Sequence, residues 1–437
     1  MLECLRTDVQ YHITALLQYR QGLWLILHNI GCPDKFINVL CSFHEGTKAQ
    51  VIESGVLPEL FGISNGTKQG CVLAPLLFCI FFSIMLLVAF KDCDLGTPIQ
   101  SRADGRVFNL QWLQVHTQTI PALVRDLYAN DYALLAHTLH DTQQLFDRFR
   151  TTTTRFGLTV SLKKTEVIHQ PVTKSTHSPS VIKASDVTLM KAVDHFCYLG
   201  SILSTDVNAD IDISVCIAKA SSSFGRLSKR LWNDHGIWLD TKVAVYKAAV
   251  LSVLLFGCES WTLYRRHTRK RDQFHMRCLR QIAHIKWQDK ISNTEVLQRC
   301  QITSIETFLL TAQLRWTRHV EKMDNRHLPR MIFYGQLQQA ERSRGGQRKW
   351  YKDTLKANLT MLDINSTHLE SVTADRTSWR ALCRQSIGSF EDSCISHAEN
   401  RRRLRKTGHT GTFTSTVQCD VCRRTCGSRI GVFTILT

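Results

Sequence analysis

Several short stretches of this chain carry side chains suited to chemistry on phosphates or metal ions. Asn65-Gly66-Thr67-Lys68-Gln69-Gly70-Cys71-Val72-Leu73-Ala74-Pro75 is a glycine-bounded loop that enters a long apolar helix. Glycines there let backbone N–H groups approach a ligand, and a helix N-terminus favours phosphate or a nucleic-acid strand. Taken alone this is an unspecific signal, because many loops before helices look like it. Arg265-Arg266-His267-Thr268-Arg269-Lys270-Arg271 and Arg401-Arg402-Arg403-Leu404-Arg405-Lys406 are the densest positive runs. Each has the cations to neutralise several phosphates without reading a base sequence; the second equally suits a nuclear-import signal or a solvated helix face. Cys419-Asp420-Val421-Cys422 has the spacing of the first half of a Cys2His2 zinc finger. The histidine such a finger needs about 12 residues beyond the second cysteine falls at Ile435. Cys426 adds a third thiolate and His409 a distant fourth group, so the expectation is an incomplete zinc site at Cys419, Cys422 and Cys426, mostly unfolded without its full ligand set.

The elements that must position these groups follow from periodicity. Leu23, Leu25, Ile26 and Ile30, then Phe36, Val39, Leu40 and Phe43, predict a helical hairpin turning at Gly31-Cys32-Pro33. Ala103-Asp104-Gly105 between Ile99-Gln100-Ser101 and Val107-Phe108-Asn109-Leu110 reads as a β-hairpin with its turn glycine. A second hairpin brackets Tyr128 to Asp131 and puts Asn130-Asp131 at an exposed turn. Asp141 to Phe156 has helical spacing, stopped by Gly157 before an extended run from Leu158 to Leu162. Ser175 to Ser180 reads as a polar turn, and from Ser214 the pattern is mostly helical. The main boundary is expected between Leu263 and Lys270, where the sequence turns toward charge. A linker is expected at Ser343-Arg344-Gly345-Gly346, and the basic tail after Asn400 should be loose.

Composition narrows the partners. With 55 Lys+Arg against 37 Asp+Glu the net charge is +18, which favours a polyanion, nucleic acid first, over a neutral or acidic partner. The 16 cysteines show no regular framework, and the start lacks the shape of a signal peptide, so they read as reduced thiols inside a cell, in nucleus or cytoplasm. Cys71 to Phe90 is free of charge and long enough to span a bilayer, yet Pro75 near its start and weak basic flanks favour a buried core helix; no membrane association is expected.

Taken together, the motifs resemble the reverse transcriptases of non-LTR (LINE-type) retrotransposons. The run from Lys68 to Pro75 is similar to that family's template- and nucleotide-contacting motif, which implies contacts from Lys68, Gln69 and Gly70. Tyr128-Ala129-Asn130-Asp131 stands at the place of its catalytic YADD or FADD turn. Gly157 to Glu166, with Lys163, resembles the next palm motif, and Phe196-Cys197-Tyr198-Leu199-Gly200-Ser201 the strand that grips the primer. The likeness runs on through Trp261, Leu314 to Pro329 and Gly345 to Lys349, from about Gly22 onward.

The resemblance implies two Mg²⁺ ions held by one carboxylate on an upstream strand and two in the turn, activating the primer hydroxyl and stabilising departing pyrophosphate. Here the first aspartate of the turn is replaced by Asn130, leaving Asp131. Upstream, Asp8-Val9-Gln10-Tyr11-His12-Ile13-Thr14 lacks the family's aspartate pattern, and nothing around Asp8 argues for it. The expectation is therefore an RNA-directed DNA polymerase, truncated at its N-terminus and catalytically inactive, with RNA and DNA as partners. The alternative is a non-catalytic nucleic-acid-binding remnant. The implied fold is α+β: a partial right-hand palm over 1–205, a helical thumb-like region over 206–265, a basic helical region over 266–400 and a tail over 401–437. With its first strand altered, the palm sheet is expected to lack an edge or centre strand.

Overall fold

The computed structural model describes residues 2–8, 20–50, 59–62, 71–101, 108, 120–124, 126–128, 131–170, 181–183, 189–206, 208–262, 264–325, 327–337, 350–407, 417–418 and 425–426. Helices dominate, and one five-stranded sheet lies in the N-terminal half. The helical hairpin forms as Arg20–Asn29 (α1) and Asp34–His44 (α2). Gly31 turns the chain at φ +86°, and Cys32 N–H closes on the Leu27 carbonyl. The buried stripe is narrower than the apolar pattern. Leu23, Leu27, Ile37 and Leu40 point inward, whereas Leu25, Phe36, Val39 and Phe43 are exposed.

The apolar stretch after the glycine loop becomes Ala74–Ala89 (α3), begun by Pro75 in its first turn. Leu77, Phe81, Phe82 and Met85 bury themselves against the sheet and against Leu139–Arg155 (α4). No helix among the described residues is long and apolar enough to cross a membrane. Helix α4 starts where the Thr138 hydroxyl accepts the Asp141 N–H at 3.1 Å and ends at Gly157, φ +72°. Leu145, Phe146 and Phe149 are its fully buried face.

The sheet is built from Leu2–Asp8 (β1), Asp126–Tyr128 (β2), Asp131–Ala136 (β3), Glu166–Gln170 (β4) and Lys191–Ala192 (β5), in the spatial order β2-β3-β1-β4-β5. Strand β1 fills its centre, antiparallel to both β3 and β4. This corrects the expected gap. The seven residues LECLRTD show no clean alternation, so strand character there comes from two waiting ladders rather than from its own pattern. Thr97–Ser101 pairs with Ile120–Val124 and with Gln336–Leu337, while the expected partner run 107–110 lies outside the described residues except Phe108, which is in a turn. A further expectation is revised. The segment 158–162 is irregular, and the strand begins only at Glu166. Ser175–Ser180 and 343–346 lie outside the described residues.

From Asp210–Leu227 (α5) the chain is helical, through Arg265–Ile282 (α6) and Ile305–Glu321 (α7) to Arg376–Thr407 (α8). One core runs from Ile213 to Leu309 and includes Trp261, Phe274 and Leu279, so packing continues straight across the boundary expected near 265. Helix α7 gives Ile305 and Leu309 to this core and Leu310, Leu314 and Val320 to the next, which also holds Trp379 and Ile387 of α8. The basic residues 401–407 are the last turns of α8, not a loose tail.

Candidate active site

Strand register assembles the site. In the β1–β3 ladder Asp8 is paired with Asp131, and in the β2–β3 ladder Tyr128 is paired with Asp131. Directly opposed residues of an antiparallel pair have Cα atoms about 4.5–5.5 Å apart and share a face of the sheet. Two carboxylate-bearing positions separated by more than a hundred residues of chain are thus neighbours at one end of the central ladder. The strands expected to flank Tyr128 to Asp131 pair as a hairpin, with Asp131 the first residue of β3 rather than a turn residue; Ala129 and Asn130 lie outside the described residues.

What holds this end in place is the residue after Asp131. Tyr132 is 1% exposed, with its ring 4.6 Å from that of Phe149 on α4 and 6.2 Å from that of Phe82 on α3. Tyr132, Leu134 and Ala136 enter the main core, whereas Ala133 joins Ile168 and Phe196 in a smaller cluster on the opposite face. Alternation places position 131 on the side of Ala133. Over that side packs the hairpin His195–Tyr198 and Ser201–Ser204, through Phe196. Its two-residue turn, Leu199-Gly200, has φ of +49° and +90°, the pair of positive values that a twisted hairpin of this length needs. A Cβ on Gly200 would stand 3.0 Å from the Phe256 ring, so this glycine also permits close docking on the helical region. Asp212 of α5 completes the link, accepting the Ile202 N–H at 2.9 Å and the Trp261 Nε1–H at 2.8 Å.

The other predicted positions are less assembled. Lys163 is exposed in the turn before β4. Lys68, Gln69, Gly70, Asn130, Cys419 and Cys422 lie outside the described residues, and Cys426 sits in a two-residue strand whose partner is Val417–Gln418. Among the described residues no group of three or more His, Cys, Asp or Glu could hold a metal ion. The cysteines whose side chains are described are free thiols.

The first basic run is partly absorbed by the fold. Arg266 and His267 both bond Asp210, each at 2.6 Å. Burial raises the Asp210 carboxyl, but the hydrogen bonds from His267 and Arg266 outweigh it and hold its pKa below the usual carboxylate range. Burial pushes the pKa of the His267 ring down, against the hydrogen bond to Asp210, which raises it. Arg271 is fully buried, stacked 4.0 Å over the Trp261 ring, with none of its three guanidinium nitrogens hydrogen-bonded. Burial lowers its pKa to about 10. Only Arg265, Arg269 and Lys270 of the run's cations remain exposed and free of these partners.

The position that sequence reading left without support is Asp8. The only local signal was a short run ending on a carboxylate; its meaning depends on register, which no local pattern contains.

Residues 21–203 match the reverse transcriptase (RNA-dependent DNA polymerase) family. Among solved structures, telomerase from Candida albicans in complex with a TWJ fragment of telomeric RNA is similar at 12% identity and a TM-score of 0.32, over 72% of this chain and 47% of that one. Telomerase from Candida tropicalis with the same RNA fragment gives 14% and 0.31, over 76% and 48%, and its apo form 13% and 0.31, over 77% and 54%. The chain thus spans about half the length of the telomerase chains it matches. No curated protein matches it. Over residues 21–203, the chain carries a reverse transcriptase domain.

Proposed function

We propose that this is the reverse transcriptase of a non-LTR retrotransposon, with 1–205 as its palm and 206–265 as a thumb-like helical region, and that it binds RNA and DNA without polymerising. The observation that carries the reading is the pairing of Asp8 with Asp131 at the end of the central ladder. Carboxylates at opposed positions fit a hard divalent cation such as Mg²⁺, whose preferred ligands are oxygens. A bound cation there would supply activation of the primer hydroxyl and stabilisation of the charge that develops on phosphate. Asp8 and Asp131 would hold it, with Asp8 in the role of the upstream carboxylate. Asn130 offers only a neutral amide, which neutralises no charge. Where each lost metal interaction removes several kcal/mol, and about 1.36 kcal/mol is tenfold in rate, one missing carboxylate suffices to silence turnover. The hairpin through Phe196, on the side of the sheet that carries position 131, supports the primer-gripping role its motif implies.

Primer extension on an RNA template with Mg²⁺ or Mn²⁺ tests this. The unaltered chain is expected to be silent, Asn130→Asp to extend the primer, and Asn130→Asp combined with Asp8→Ala to be silent again. Extension by the unaltered chain would overturn the inactivity. Undiminished extension by the double variant would remove Asp8 from the site. If no variant extends but the chain still shifts RNA, the binding-remnant reading replaces the polymerase one.

A further inference from the structure

Away from the sheet, helices α7 and α8 enclose a groove of about 990 Å³ whose charge is strongly one-sided. Five arginines line it: Arg315 and Arg318 from α7, and Arg376, Arg380 and Arg384 from α8. The only carboxylate in the lining is Glu391, and its Oε1 already accepts the Ser304 N–H at 3.0 Å. The other acid nearby, Asp375, is capped by the Ser378 N–H at 2.7 Å, and Arg318 lies close enough to help hold its pKa low behind those hydrogen bonds. Arg315, Arg376, Arg380 and Arg384 are exposed and form no ion pair among the described residues. The Nε of Arg318 is buried without a hydrogen-bond partner.

The spacing makes the groove a track rather than a spot. Arg376, Arg380 and Arg384 are four residues apart, so they stack along one helix face at steps of about 6 Å. Arg315 and His319, also four apart, form a parallel row on α7. Neighbouring cations at that separation lie well inside the screening length of about 8–10 Å, so they repel one another until an anion sits between them. The floor is fixed: Leu314, Trp379 and Ile387 belong to the core beneath, at 1%, 2% and 8% exposure. The guanidinium forks are therefore carried by a rigid surface, and each can grip a phosphate bidentately.

We infer that the α7–α8 groove is a second nucleic-acid site, which binds the phosphate backbone of a single strand without reading its sequence. It lies outside residues 21–203 and does not depend on the polymerase reading. A repeating backbone offers an anion at every step, which suits regular arginine rows. A single isolated phosphate would leave most of the five cations unneutralised.

The test is fluorescence anisotropy of the full chain with a labelled single-stranded RNA, in EDTA and without nucleotides, so that loss of polymerase chemistry cannot affect the outcome. Replacing Arg376, Arg380 and Arg384 by Gln is expected to weaken binding about tenfold or more near 0.1 M salt and to flatten the log K against log salt slope by about 2, at 0.7 per lost contact. Replacing the same three by Lys should keep the slope. The control Arg401→Gln/Arg402→Gln/Arg403→Gln removes equal charge from the exposed end of the same helix and should change the slope by less than half as much. Should the groove variant fold poorly by circular dichroism, Arg315→Gln on the opposite row tests the same groove through one exposed position, with an expected flattening of the slope by about 0.7. Unchanged affinity and slope, or an effect no larger than the tail control, would overturn the assignment. So would competition by poly-glutamate equal to that by RNA at matched charge, which would give the groove to acidic protein partners. Duplex DNA binding more tightly than the single strand would overturn the single-strand assignment.

Discussion

The two sets of arginines in the helical half have opposite fates. Arg265 to Arg271 is dense in sequence but partly consumed by the fold: Arg266 is paired with Asp210, His267 is buried beside it, and Arg271 lies flat on Trp261 inside the core, which leaves Arg265, Arg269 and Lys270. The groove arginines are scattered over seventy positions, look unremarkable one by one, and converge on an open surface with a single carboxylate among them. Linear charge density is therefore a poor guide to available charge. A helix wound through a core turns every third or fourth residue inward whatever its charge, and two helices that face each other add their exposed rows.

The largest expected effect follows from the consumed set. Trp261→Ala should destabilise the chain by about 3–5 kcal/mol in chemical denaturation, since it opens a core cavity and strips a partner from both Asp212 and Arg271. Arg271→Met should stay within about 1 kcal/mol of the unaltered chain or exceed it, because the guanidinium it removes is buried without hydrogen bonds. A large loss on Arg271→Met would break the view that this cation serves only packing.

Helix α6 also predicts an acid-side weakness. Burial pushes His275 down to about 4, and its Nδ1 lies 2.8 Å from the Tyr246 hydroxyl. The folded ring stays neutral where the unfolded one protonates, so its stability contribution is complete above pH 6.5 and is lost as pH falls toward 4. That loss should approach about 3 kcal/mol. Denaturation midpoints between pH 7 and 4 would read it, and His275→Gln should flatten the profile; an unchanged slope would show the acid sensitivity to arise elsewhere. The smallest effect is expected from Arg265→Gln/Arg269→Gln/Lys270→Gln, which should shift the RNA salt slope by less than 1. A shift matching that of the groove variant would erase the distinction between the two sets.

Local order was legible in the sequence. The helices over 20–29, 34–44, 74–89 and 139–155 each follow from spacing within a dozen residues, from a capping threonine or from a glycine with positive φ. The motifs of the reverse transcriptase domain were readable for the same reason, since each is a contiguous run. What only the tertiary structure decided is pairing at a distance: that Leu2–Asp8 is the central strand, that Asp8 meets Asp131, that Gln336–Leu337 joins Thr97–Ser101, and that α7 and α8 face their arginines into one groove. Strand register and helix facing are set by which surfaces bury each other across the whole chain, and a one-residue slip in either exchanges the groups presented while leaving every local pattern intact.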